Sequence, residues 1–243
     1  MRHALNIPNY APFDDPRLVA DVARDAEAAG WDGVFSWDHV TFVKSMRLAL
    51  SDPWVLLTAA ALATERIRLG PLVTPLARRR MSVLARQSTT LDRLSGGRLV
   101  QGVGLGAPLD DEFGTWGESA DAREVAGRLD ESLEVLTRLW TGEPVSYTGR
   151  YLTVDDVTFA PTPVQRPRIP IWVAARLPNP APMRRAARWD GVVPLLADSH
   201  DNPTPAHVTE VVAMVSEHRA AAAGPFDVVV SGATDTPEQA APG

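Results

Sequence analysis

Apolar and polar positions follow two rhythms along the chain. Short runs of β-branched and aliphatic residues alternate with longer stretches whose apolar positions recur every three or four residues, the strand and helix periods. Arg2 to Ile7 predicts a first strand. Asp15 to Ala29 predicts a helix, with Asp14 or Asp15 as cap, Pro16 in the first turn and Gly30 as the stop. A second strand is expected over Gly33–Ser36, a helix over Pro53–Ala63 and a third strand from Ile67 to Val73. A helix from Met81 to Leu94 closes at Ser95-Gly96-Gly97, and a fourth strand runs from Arg98 to Val103. Ala122 to Trp140 predicts a long amphipathic helix closed by Thr141-Gly142. A fifth strand is expected from Ile169 to Ala174, with Met183 to Ala187 inside the helix that follows. Gly191 to Leu195 and Phe226 to Val230 predict a sixth and a seventh strand, separated by a helix from about Pro205 to Ala222.

Strands alternating with helices imply βαβ units and a parallel sheet. The 243 residues suit one (β/α)8 barrel, which takes about 250; a doubly wound sheet is the alternative. No Gly-x-Gly-x-x-Gly opens a helix after the first strand, and polar punctuation follows many different strands, as barrel-top loops require. The expectation is a single barrel domain over residues 1–243, short of its eighth strand and last helix. Two stretches interrupt the alternation between about 104 and 167. One is an irregular Gly- and Asp-rich loop to Ser119. The other is a hairpin with its turn at Thr148-Gly149, leading into a proline-rich connector. A frayed tail is expected from about 234 to 243.

Composition narrows the function classes. Hydrophobic residues make up 45% and charged residues 22%, which excludes disorder for the bulk of the chain. No apolar run approaches the ~18 residues of a membrane helix, and the first eight residues leave no room for a signal-peptide core, so a cytoplasmic protein without membrane contact is expected. Cysteine is absent, which removes disulfides and thiolate metal sites, and no other ligand spacing suggests a metal. The net charge of −6 lacks the basic footprint of a nucleic-acid binder. Lys44 is the only lysine among 24 basic residues. That bias reads as base composition unless the position of an arginine argues for phosphate.

In a barrel, chemistry sits at the C-terminal ends of the strands. The sequence places Pro8-Asn9-Tyr10 there after strand one and Trp37-Asp38-His39 after strand two. Strand three is followed by Thr74-Pro75 and Arg78-Arg79-Arg80, strand four by Gly102, Gly104 and Gly106, and strand five by Ala175-Arg176. His39 beside a carboxylate is the sharpest cluster, because imidazole exchanges protons near neutral pH; the plainer alternative is a loop histidine bonded to its neighbour. The alternating glycines serve either a tight turn or close ligand approach. The three arginines read as a phosphate clamp or, more simply, as a solvated helix start. Arg176 and the helix opening at Asn179-Pro180 read as an anion site or as an ordinary proline-started helix.

Four segments taken together resemble the bacterial luciferase-like, flavin- or deazaflavin-dependent oxidoreductases. They are Ala28 to His39, Ile67 to Pro75, Thr90 to Arg98 running on to Glu112-Phe113, and Pro170 to Ala175 with Arg184 to Gly191. The resemblance implies a (β/α)8 barrel with FMN or the 5-deazaflavin coenzyme F-420 across its mouth. It implies hydride transfer at the ring, a small organic substrate, molecular oxygen as co-substrate in monooxygenase members, and a homodimer. By position, Asp38 and His39 match the pair lining the deazaflavin site, with His39 exchanging the substrate proton. Leu72, Val73 and Thr74 match the segment backing the ring. Gly104 and Gly106 match glycines near the cofactor tail, and Ala174, Ala175 and Arg176 the strand end near the phosphate. A non-proline cis peptide is expected behind the ring, between Pro71 and Leu72. The chain departs from the family's sugar-phosphate dehydrogenases, which carry a glutamate where it has Ala107. The short C-terminal end leaves a second expectation, a cofactor-poor barrel acting as a non-catalytic binding or interaction protein.

Overall fold

The computed structural model describes residues 1–197, 202–220 and 224–232, so His200 and the predicted tail lie outside the described residues. Two compact units divide the chain, Met1–Ile171 and Trp172–Gly243.

In the first unit, Ala4–Ile7 (β1), Gly33–Ser36 (β2) and Arg68–Pro71 (β3) form a parallel ladder in that order. Between them run the helices Pro16–Ala28 (α1) and Pro53–Ala63 (α2), each with proline in its first turn and an aspartate cap, Asp15 and Asp52. Such caps contribute about 1 kcal/mol each. Ile7, Val19, Ala23, Ala26, Val34, Leu56, Ala60 and Ile67 form one buried cluster that fixes both helices on the ladder. Truncating Leu56 there costs about 2–5 kcal/mol.

The predicted third strand is cut in two. β3 ends at Pro71, and a cis bond joins Leu72 to Val73. The strand resumes as Thr74–Pro75 (β4), paired with Gln101–Gly104 (β5). The cis bond therefore falls one residue later than the expected Pro71–Leu72. The Leu72 amide still donates to Ser36 O at 2.7 Å, which keeps Leu72 in register with β2 and moves the break beyond it. Met81–Leu94 (α3) has the predicted bounds. The irregular loop after β5 contains a short helix, Leu109–Glu112 (α4). Ala122–Leu139 (α5) leads into the expected hairpin, Pro144–Thr148 (β6) and Thr153–Thr158 (β7). Glu131 of α5 accepts the amides of Arg150, Tyr151 and Leu152 and so pins the hairpin turn.

In the second unit, Ile171–Leu177 (β8), Gly191–Leu196 (β9) and Asp227–Val228 (β10) lie parallel in the order β8-β9-β10. β8 starts two residues later than predicted and runs on to Leu177; Pro167 and Pro170 lack the amides a ladder needs. The helices are Pro180–Ala186 (α6) and Pro205–Ser216 (α7). Gly191 is required where β9 passes Trp172, because a Cβ there would lie 2.5 Å from the indole.

Candidate active site

The chain end of β2 is organised by a carboxylate 73 residues away. Glu112, the last residue of α4, is fully buried. Its Oε1 accepts the amides of Thr41 at 3.2 Å and Phe42 at 2.6 Å, and its Oε2 accepts that of Val40 at 3.3 Å. Three successive N–H groups thus converge on one anion, as in a backbone nest. The geometry holds Phe42 at φ +57°, a left-handed conformation that costs a bulky residue about 1–2 kcal/mol. Phe42 then packs against His39, with ring centroids 4.6 Å apart, and stacks on Tyr10.

The same carboxylate meets His39 Nδ1 at 3.1 Å and the Arg78 guanidinium at 2.5 Å. Burial alone pushes the Glu112 carboxyl up. The hydrogen bond with His39, the charge of Arg78 and the Phe42 amide outweigh it and hold the group below the usual carboxylate range. An ionised carboxylate only accepts, so Nδ1 carries the proton in neutral His39 and Nε2 keeps the lone pair. Asn9, buried behind the loop, donates to the carbonyls of His39 and Ser51 at 2.8 Å each and fixes the backbone on which the imidazole stands.

Two expectations are corrected here. The carboxylate partner of His39 is Glu112, not the adjacent Asp38. Asp38 is turned to Arg78 Nη2, 2.6 Å away, and to Arg79. The arginine run is neither a solvated face nor a phosphate clamp at these two positions. The side chain of Arg78 is 9% exposed and that of Arg79 20%, and their guanidinium groups are spent on internal carboxylates. Arg80 alone is exposed. A cavity of about 280 Å³ opens beside the network, lined by His39, Val40, Ser51, Asp52, Arg78 and Arg79 among others.

The remaining predicted residues fall as follows. Leu72 is buried and Val73 half-buried at the break between β3 and β4. Among the described residues the hydroxyl of buried Thr74 has no partner, and neither has Asp38 Oδ2. The glycines have structural reasons of their own. A Cβ on Gly102 would lie 2.2 Å from Pro71 O, and Gly106 turns at φ +87° against the ring of Pro75. Gly104 is buried at the end of β5. In the second unit, Ala174 and Arg176 share one face of β8 while Ala175 is buried on the other; Arg176 is exposed, 3.4 Å from the Ala197 carbonyl. The helix-start argument for an anion fails at α6. Pro180 and Pro182 have no N–H, and the Ala181 amide is taken by Asn179 Oδ1 at 3.0 Å. Sequence reasoning missed Glu112 as a partner of His39. Its one signal was an acidic residue inside the irregular loop after β5.

The profile of the luciferase-like monooxygenases matches residues 2–241. Over 178 residues the chain is 36% identical to the F420-dependent glucose-6-phosphate dehydrogenase of Nakamurella multipartita, covering 71% of this chain and 50% of that protein. Over 195 residues it is 32% identical to the F420-dependent hydroxymycolic acid dehydrogenase of Mycobacterium tuberculosis, covering 79% and 52%. The chain spans about half the length of these relatives. Among solved structures, monooxygenase RslO1 from Streptomyces bottropensis superimposes with a TM-score of 0.76 at 29% identity, covering 94% of this chain and 70% of that one. The fold is therefore the luciferase-like (β/α)8 fold, as the alternation of elements predicts, and the chain belongs to the family of luciferase-like monooxygenases.

Proposed function

We propose that this chain carries the coenzyme and proton-exchange site of an oxidoreductase that uses coenzyme F-420 to interconvert a small organic alcohol and its carbonyl compound. The observation that carries the reading is the buried Glu112 carboxylate on His39 Nδ1, which leaves His39 with one free basic nitrogen beside a cavity. F-420 is preferred to FMN because both curated relatives named above depend on it. A sugar phosphate is not carried over as substrate, since Ala107 stands where those dehydrogenases have a glutamate.

The residues present fit such a coenzyme. Among the described residues, Thr74 Oγ1 and Asp38 Oδ2 are buried polar atoms without a protein partner, Thr74 opening β4 and Asp38 just past β2. A ring with an apolar body and a rim of carbonyl and N–H groups suits that hydroxyl and carboxylate, with Leu72 and Val73 beneath it. Asp38, Leu72, Val73 and Thr74 would hold the ring, and Gly104 and Gly106 would lie near its side chain. When bound, the coenzyme supplies hydride chemistry. His39 Nε2 takes the hydroxyl proton of the alcohol during oxidation and returns it to the carbonyl oxygen in reverse. Glu112 holds the ring nitrogen in the state that permits this, and Asn9 and Phe42 hold the loop.

Titration of the purified chain with F-420 and, separately, with FMN tests the reading by fluorescence quenching. Saturable binding of F-420 near one site per chain is expected; saturation by FMN instead reassigns the cofactor, and binding of neither sinks the proposal. His39→Ala is expected to lower turnover by about 10²-fold or more, the scale of general acid–base catalysis, while coenzyme affinity stays within about threefold. Unchanged turnover would remove His39 from the chemistry.

A further inference from the structure

Among the described residues, Arg78 is the one whose side chain bonds both buried carboxylates of the site. Its Nη1 donates to Glu112 Oε2 at 2.5 Å, and its Nη2 donates to the Asp38 carbonyl at 2.8 Å and to Asp38 Oδ1 at 2.6 Å. The side chains of Asp38 and Glu112 are both fully buried. Asp38 has a second guanidinium, that of Arg79, whereas among the described residues no other guanidinium is bonded to Glu112. We propose that Arg78 is a positioning residue: by pairing with Glu112 it keeps that carboxylate an obligatory acceptor for His39 Nδ1, and so fixes which ring nitrogen of His39 carries the proton.

Glu112 Oε1 faces three donors, the amides of Thr41 and Phe42 and His39 Nδ1, and Oε2 faces Arg78 and the Val40 amide. With Arg78 in place every neighbour donates, and an ionised carboxylate satisfies them all. Without it, a buried carboxylate loses its paired cation and burial favours the protonated acid. The acid has an O–H to give, and where Oε1 carries it the acceptor in reach is the ring nitrogen of His39. Nδ1 then accepts, the proton moves to Nε2, and the basic nitrogen of His39 faces Glu112 instead of a substrate. The charged groups around Glu112 are His39 from the loop after β2, Arg78 from the turn after β4, and Asp110 and Asp111 on α4. Asp38, Arg79 and Asp52 follow beyond Arg78. The catalytic consequence rests on the reading of His39 given above; the tautomer itself does not.

The test is imidazole ¹H–¹⁵N NMR on the full chain, ¹⁵N-labelled at histidine, without coenzyme, with His39→Gln assigning the signals. At pH 8 the wild type is expected to show the Nδ1–H form. Arg78→Met is expected to reduce its population at least tenfold in favour of Nε2–H. The double variant Glu112→Gln with Arg78→Met should restore Nδ1–H. An uncharged glutamine can keep its oxygen on the amides of Thr41 and Phe42 and on His39 Nδ1 once the cation opposite its amide nitrogen is gone, with only the 3.3 Å bond from the Val40 amide lost. Retention of Nδ1–H in Arg78→Met overturns the proposal, as does Nε2–H in the double variant. If Arg78→Met fails to fold, the double variant decides. Folding with Nδ1–H supports action through Glu112, and failure to fold shows Arg78 to be scaffold only, which also overturns it. Where the loaded wild type turns over, Arg78→Met should lose at least tenfold in kcat, keep KM within threefold and move the acid limb of its pH profile upward. An inactive wild type with the expected tautomers defeats the oxidoreductase reading and leaves the role of Arg78 standing.

Discussion

Glu112 and Glu27 perform one backbone task at opposite ends of the strands. Each lies at or near the end of a helix and gathers the amides of three successive loop residues. For Glu112 these are residues 40–42 after β2, and for Glu27 they are residues 65–67 before β3. Burial works against ionisation in both, and the donated hydrogen bonds win, so both carboxyls lie below their ordinary range. The surroundings differ. Glu27 is half-buried, and the neighbouring Arg98 spends its guanidinium on the carbonyls of Ala61, Thr64 and Ile67 and the Thr64 hydroxyl. Glu112 is fully buried and adds a histidine and an arginine to the same three amides. One carboxylate closes a loop. The other closes a loop and sets the state of an imidazole, at the end of the strands where barrel enzymes place their chemistry.

The largest effect should come from breaking the fully buried member of the pair. Glu112→Ala leaves Arg78, His39 and three inward amides without their acceptor, and removing one partner of a buried ion pair costs about 3–5 kcal/mol. Urea unfolding should show that loss in midpoint at nearly constant slope. Glu27→Ala removes bonds that water can replace in part, so a loss of about 1 kcal/mol is expected. Equal losses at the two sites would mean that burial and the added side chains do not distinguish them.

The scaffold half of this comparison was readable in the sequence and the other half was not. The bounds of α2 follow from the Asp52 cap and Pro53, and those of α3 from its 3.6-residue period and the stop at Ser95-Gly96-Gly97, all local signals. Asp15, Asp52 and Asp121 cap their helices because a short carboxylate just before the first turn reaches its free amides. The place of His39 just after a buried strand was legible. Its partner was not, because Asp38 is adjacent in sequence and Glu112 is 73 residues on, and only the fold decides which carboxylate faces the ring. Arg78 and Arg79 failed for a related reason. A run of three arginines reads as solvated until two buried carboxylates are known to lie beneath it. The split of the third strand also needed tertiary register, since Gly70-Pro71 marks a weak point in Ile67 to Val73 but does not say that the break falls after Leu72.

The smallest effect, and the finest test of the comparison, is the pH dependence of stability. A carboxyl whose folded pKa lies below its unfolded value of about 4.3 contributes stability above that value and loses it as pH falls through the folded pKa. Both glutamates are of this kind. Glu27→Gln should therefore be less stable than wild type at pH 7, with the gap narrowing on acidification as the native carboxyl itself becomes neutral. Glu112→Gln should show a wider gap at pH 7, and one that does not close, because the glutamine amide faces the Arg78 guanidinium with a donor where the carboxylate offered an acceptor. Thermal unfolding of the three proteins from pH 7 to pH 3 reads both gaps. A Glu27→Gln gap independent of pH would mean that its bonds to residues 65–67 owe nothing to charge. Parallel closure in the two variants would mean that Arg78 adds nothing to Glu112 beyond what three amides already give to Glu27.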